Sequence, residues 1–286
     1  MKESEKRITG KRIGIFAVLT VVFLGILGAG YVRYRKDNIL LLLMLTPGIA
    51  ALGTRWITGE GGKDLFIKPY FRKNGKGYAA LWFLTPVAAY AGAAVYFLLF
   101  PGDFQPLTSV CAREAGAQTA AEYARYLGRL LPLAVLINPA MGLIMCLGEE
   151  AGWRGYLLPK LCGFMKPRKA VLLTGVIWGL WHAPVIACGF NYGTEHPAAG
   201  ILAMVIFSTV LGCIQGWLFF RMKSIWPCVI FHAALNGMDL YSPSMLFMGK
   251  DANLFLGPDP TGLLGGVVFI VLGALALWDI SGERWI

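Results

Sequence analysis

Glu149 and Glu150 are adjacent carboxylates at the end of an apolar run, and Arg154 follows just beyond them. At membrane depth an ionisable group costs about 2.5–3.5 kcal/mol even on lenient insertion scales, so a cluster of them marks a functional site by default. His182 and His232 each lie in a separate apolar run further along. A carboxylate with two imidazoles can move protons and hold water, which points to hydrolysis.

Spacing divides the work among these groups. If the helix that carries the carboxylates continues to Leu158 and stops before Pro159, Glu150 and Arg154 share a face at i, i+4 and pair. Glu149 then points about 100° away, toward the interior of a bundle. The plain alternative is an ion-pair cluster of all three at the membrane surface. Trp178 and His182 are also four apart, which sets an aromatic ring one turn from the imidazole, although a lone histidine in an apolar helix is more often a packing residue. His232 and Asn236 repeat the spacing, and an imidazole beside an amide inside a membrane needs partners.

Depth links the three pairs. At about 1.5 Å per residue from the expected cytoplasmic helix ends, Glu149 lies roughly 13 Å in, His182 roughly 18 Å, His232 roughly 10 Å and Asn236 roughly 16 Å. A shared slab favours one common site over separate packing accidents. Two routes to an activated water stay open. Without a metal, Glu149 is the general base, His182 holds and polarises the water, and His232 with Asn236 donates to a developing oxyanion. With a divalent metal such as Zn2+, Glu149, His182 and His232 supply three ligands and leave a fourth position for water. HExxH and GxSxG are both absent, and no cysteine stands beside a histidine in a way that suggests nucleophilic catalysis.

The elements that must position these groups are membrane helices. Hydrophobic residues make up 57% of the 286-residue chain and charged residues 15%, with a mean hydropathy of +0.61. Soluble domains carry about 25% charged residues. The pattern predicts an all-α, polytopic integral membrane protein of about eight transmembrane helices, near 13–32, 39–57, 78–100, 129–148, 170–189, 198–220, 225–239 and 262–280. The seventh is short. The first follows a basic stretch but is too long for a signal-peptide core, and Arg33, Arg35 and Lys36 come at once, so a retained helix is expected.

With a cytoplasmic N-terminus, loop charge divides into roughly 19 Lys and Arg inside against 6 outside. Both termini are then cytoplasmic, in a multi-pass protein of the cell membrane; the basic loop Arg33–Lys36 resists this. The net charge of +10 reads as a topology signal plus affinity for anionic lipid headgroups. Basic residues are spread over loops, so no nucleic-acid partner is indicated. The six scattered cysteines form no CxxC pair and read as packing residues.

One helical membrane domain over 1–286 is expected, with 1–127 mostly scaffold helices and 128–240 the catalytic region. Gly212 and Gly216 form a small-xxx-small packing pair. Within the loop 101–127, the second half (Glu114, Glu122, Tyr123, Arg125, Tyr126) suits either an amphipathic interfacial helix or, as the stronger reading, a solvated cap. The loop from Ser242 to Pro260 reads as an irregular connection.

Glu149-Glu150-x-x-x-Arg154, then Trp178-x-x-x-His182, then His232-x-x-x-Asn236, in that order on successive membrane helices, resemble the motifs of the CAAX protease and bacteriocin-processing family of intramembrane endopeptidases, which is related to the type II CAAX prenyl protease. The resemblance covers about Leu130 to Leu240. It implies eight membrane helices, peptide-bond hydrolysis with Glu149 as the water-activating carboxylate, and His182, His232 and Asn236 as its partners. Glu150 and Arg154 match a supporting pair, and Trp178 stands where the family usually has Phe. The implied substrate is a membrane-anchored, hydrophobic or lipidated peptide. Two other classes remain: a non-catalytic protein such as a bacteriocin immunity factor or partner-binding scaffold, and a transporter. No internal repeat supports the transporter.

Overall fold

The computed structural model describes residues 3–62 and 64–280. Among them there are only helices and connections, with thirteen α-helices: α1 Glu3–Tyr34, α2 Asp37–Thr58, α3 Phe71–Leu99, α4 Val110–Glu114, α5 Ala120–Leu136, α6 Asn138–Gly152, α7 Leu158–Cys162, α8 Pro167–Trp181, α9 Ala183–Ile186, α10 Pro197–Met222, α11 Trp226–Asn236, α12 Pro243–Phe247 and α13 Val267–Asp279. Five helical segments are long and apolar enough to cross a membrane, with α5 to α7 counted as one. The chain is thus an all-α polytopic membrane protein. The remaining expected spans are the shorter helices α8, α11 and α13. Terminal residues 1–2 and 281–286, on which the expected sidedness of the termini falls, lie outside the described residues.

Two compact units make up the chain: Met1–Gly77 with Leu143–Val229 and Gly273–Ile286, and Tyr78–Gly142 with Ile230–Leu272. In the first, α1 lies along α2 and buries only Phe16, Thr20, Gly28 and Tyr31. The rest of its apolar surface faces outward, as a lipid-facing helix requires. Close glycine contacts bring the site-bearing helices together. A Cβ on Gly148 of α6 would lie 2.7 Å from Leu45 Cα of α2, and one on Gly175 of α8 would lie 2.7 Å from Thr209 Cα of α10. Small residues let membrane helices approach to backbone contact, where dispersion replaces the missing hydrophobic drive. Gly212 and Gly216 join the same α8–α10 seam, against Gly175 and Val171.

An ionic cluster closes one end of this unit. Glu60, just after α2, receives Arg12 of α1 at 3.5 Å, Arg55 at 3.8 Å and the Tyr156 hydroxyl at 3.1 Å, together with Lys160 of α7. Burial opposes ionisation of Glu60, but the hydrogen bond and charge of Lys160, with Arg55 and Tyr156, outweigh it and hold the carboxyl below its usual value.

The helix that carries the carboxylates departs from expectation. It does not end before Pro159. One π-turn, Trp153–Leu157, follows α6, and α7 continues through Pro159 to Cys162. The wider turn sends the Leu158 N–H to Trp153 O, and Pro159 then falls in the first turn of α7, where its missing N–H costs nothing. The expected span 170–189 is likewise broken. Helix α8 stops at Trp181 and the short α9 follows with Pro184 in its first turn, so His182 sits at a helix end.

In the second unit, the capping box of Thr119 and Glu122 starts α5. Residues 122–126 form the first turns of α5, and Glu114 closes the separate helix α4. Tyr123 is buried, and its hydroxyl donates to Leu246 O at 2.7 Å, gathering Cys111, Ala112 and Leu246 into a small core. The connection 242–260 is mostly turns around α12, pinned where Asp259 accepts from the Ser244 N–H at 2.9 Å and its hydroxyl at 2.6 Å.

Candidate active site

The first unit builds a polar cluster from α6, the π-turn, α8 and α10. Glu149, Glu150, Arg154, Trp178 and Gln215 are each no more than 3% exposed. Arg154 Nη1 donates to Glu150 Oε1 at 3.1 Å, the expected i, i+4 pair, and it forms although a π-turn begins between the two residues. Gln215 Nε2 donates to the same oxygen at 2.9 Å. These donors offset the cost of burying a carboxylate, which no single surface-type pair would cover.

Glu149 has a donor of its own. Its Oε2 accepts from Trp178 Nε1 at 2.6 Å. The guanidinium carbon of Arg154 stands 4.3 Å from the centroid of the same indole, within cation–π range. Trp178 therefore touches both the base candidate and the arginine.

Proline explains the placing of His182. Pro184 cannot continue the α8 hydrogen-bond ladder, and His182 Nδ1 lies 2.8 Å from Trp178 O. A carbonyl only accepts, so the neutral ring carries its proton on Nδ1 and its lone pair on Nε2, the atom that can accept from water or bind a cation. The Trp181 ring meets the imidazole edge to face, with centroids 4.8 Å apart at 85°, and fixes its plane.

His232 and Asn236 both lie on the part of α11 in the second unit, His232 buried and Asn236 half-buried. Asn138 Nδ2 donates to Gly237 O at 3.2 Å and ties down the end of this helix. Among the described residues no three His, Cys, Asp or Glu side chains are gathered as a metal-binding group.

The structure adds Gln215, which sequence reasoning passed over. It is a primary amide in the C-terminal half of a 26-residue apolar helix, and that alone could have flagged it, since polar groups inside membrane helices seek partners. Its other contacts reach α11: Nε2 lies 3.4 Å from Cys228 O, and Cys228 Sγ donates to Gln215 O at 3.1 Å.

Comparison with known proteins places this cluster. Residues 129–238 match the model of a family described as type II CAAX prenyl endopeptidase Rce1-like. Over 135 residues, 46% of this chain, the sequence is 31% identical to CAAX prenyl protease 2 of Methanococcus maripaludis, and the match spans 45% of that relative. The segment that holds Glu149, His182, His232 and Asn236 is therefore the part of the chain that is similar to the Rce1-like type II CAAX prenyl endopeptidases, and the chain spans less than half the length of the relative it matches.

Proposed function

We propose that this chain is an intramembrane endopeptidase of the cell membrane that hydrolyses a peptide bond near the C-terminus of a prenylated, membrane-held peptide. The observation that carries the reading is the buried Glu149 carboxylate, held by Trp178 one turn from His182, inside the segment that matches the endopeptidase family. The catalytic region runs from 128 to 240. Both termini are cytoplasmic on the loop-charge argument, and the partners are the peptide and the surrounding lipid.

Glu149 takes a proton from water, and the hydroxide equivalent adds to the scissile carbonyl carbon. His182 accepts from that water through Nε2 and orients it. His232 and Asn236 donate to the oxyanion that forms; this assignment rests on motif order and the sequence depth estimate. The proton held by Glu149 then passes to the departing amine nitrogen as the C–N bond breaks. Glu150, Arg154 and Gln215 keep the carboxylate-bearing turn in place.

The test is hydrolysis of a fluorogenic farnesylated CAAX peptide by the purified chain in proteoliposomes. Glu149→Gln should lower kcat by about 10²–10⁴-fold, the usual worth of a general base, with the protein still folded in the bilayer. Native turnover by that variant overturns the reading.

A further inference from the structure

We propose that Trp178 is the positioning residue for the Glu149 base, acting through its indole N–H and not only through the bulk of its ring. This rests on the role given to Glu149 above, and it adds a residue whose one side chain and one carbonyl set two reacting groups relative to each other. The indole N–H holds Glu149 Oε2 at 2.6 Å. The carbonyl of the same residue holds His182 Nδ1 at 2.8 Å. Base and imidazole are thus referenced to a single residue.

That residue is itself well fixed. Arg154 covers one region of the ring at 4.3 Å from its centroid, and Trp178 is 3% exposed. Next to it and one turn before it, the α8 backbone meets α10: a Cβ on Gly179 would lie 2.5 Å from Val205 Cα, and Gly175 meets Thr209 in the same way. A carboxylate has a soft terminal torsion, so a strong donor on a rigid ring restricts where its oxygens point. Misplacing a catalytic group by about 1 Å can cost 10²-fold in rate. A phenyl ring at 178 would fill much of the space and supply no donor.

Two replacements separate the N–H from the ring. Trp178→Phe removes both the donor and part of the ring, whereas 3-benzothienylalanine at 178 keeps the bicyclic shape and removes only the donor. On the farnesylated peptide, both should lower kcat about tenfold to a hundredfold and leave KM within about twofold. In a chain labelled with 5-fluorotryptophan, the ¹⁹F resonance missing from Trp178→Phe should move in Glu149→Gln and stay in place in Glu60→Gln.

Native kcat with the benzothienyl residue, a rise in KM alone, or an unmoved resonance in Glu149→Gln overturns the inference. The endopeptidase reading would still stand if Glu149→Gln is inactive. Native turnover by Glu149→Gln would remove that reading, and this inference with it.

Discussion

Gln215 of α10 donates its amide to Glu150 Oε1 at 2.9 Å, the oxygen that Arg154 also holds. Two helices and a π-turn therefore converge on one carboxylate that does no chemistry in the mechanism above. Its value is to fix the turn that carries Glu149. Gln215→Leu removes one donor from a buried carboxylate, a loss of about 1–3 kcal/mol for a hydrogen bond to a charged group. Thermal unfolding in detergent should show a lower midpoint, and kcat should fall by less than in Glu149→Gln. An unchanged midpoint would mean that Arg154 alone suffices.

Arg154 carries more. It neutralises Glu150 and covers Trp178, so truncation leaves a buried charge uncompensated and an indole unsupported at once. Arg154→Ala should cost about 3–5 kcal/mol, the range for breaking a buried pair from one side. Cleavage at neutral pH should drop with it. Arg154→Lys keeps the charge but not the planar cation over the ring, and it should recover stability more fully than kcat. Equal recovery of both would argue against a role for the stacked geometry.

Legibility in the sequence followed local spacing. Glu150 with Arg154 and Trp178 with His182 could be paired from i, i+4 geometry, because both contacts lie within one or two turns. The long helices were legible from apolar length alone. Three features were not. The π-turn at Trp153–Leu157 comes from fitting Pro159 into a continuing helix, and spacing alone does not choose between a stop and a wider turn. The break after Trp181 turns on where Pro184 falls relative to the last ladder bond. Gln215 lies 65 residues from Glu150, and no local pattern announces a contact of that range.

Acid stability should depend on Glu60, which lies outside the membrane-spanning helices. Its carboxyl is held below the ordinary 4.5 by Lys160, Arg55 and Tyr156 against the opposing effect of burial. A depressed folded value means that the unfolded chain binds the proton more readily. The contribution is therefore present in full above the unfolded value and is lost as pH falls through the folded one. Unfolding midpoints should drop as pH falls below about 4.5 in the native chain. Glu60→Gln should start lower at pH 7 and fall less over that window, and parallel curves would exclude Glu60 as the source.

The α8–α10 seam offers a test in which no polar atom is touched. Gly175 leaves room for Thr209, whose Cα would be 2.7 Å from an added Cβ, so Gly175→Ala must push backbone away from backbone. Overpacking of this kind costs about 1–3 kcal/mol. Separation along this seam also draws Trp178 on α8 away from Gln215 on α10, and with them the donors to Glu149 and Glu150. Gly175→Ala should therefore lower both the unfolding midpoint and kcat. Gly14 of α1 has nothing within 4 Å of an added Cβ, and Gly14→Ala, which also favours the helix by about 1 kcal/mol, should leave kcat unchanged and raise the midpoint slightly. A Gly175→Ala variant that unfolds earlier yet turns over at the native rate would show that the seam supports the fold without setting the site.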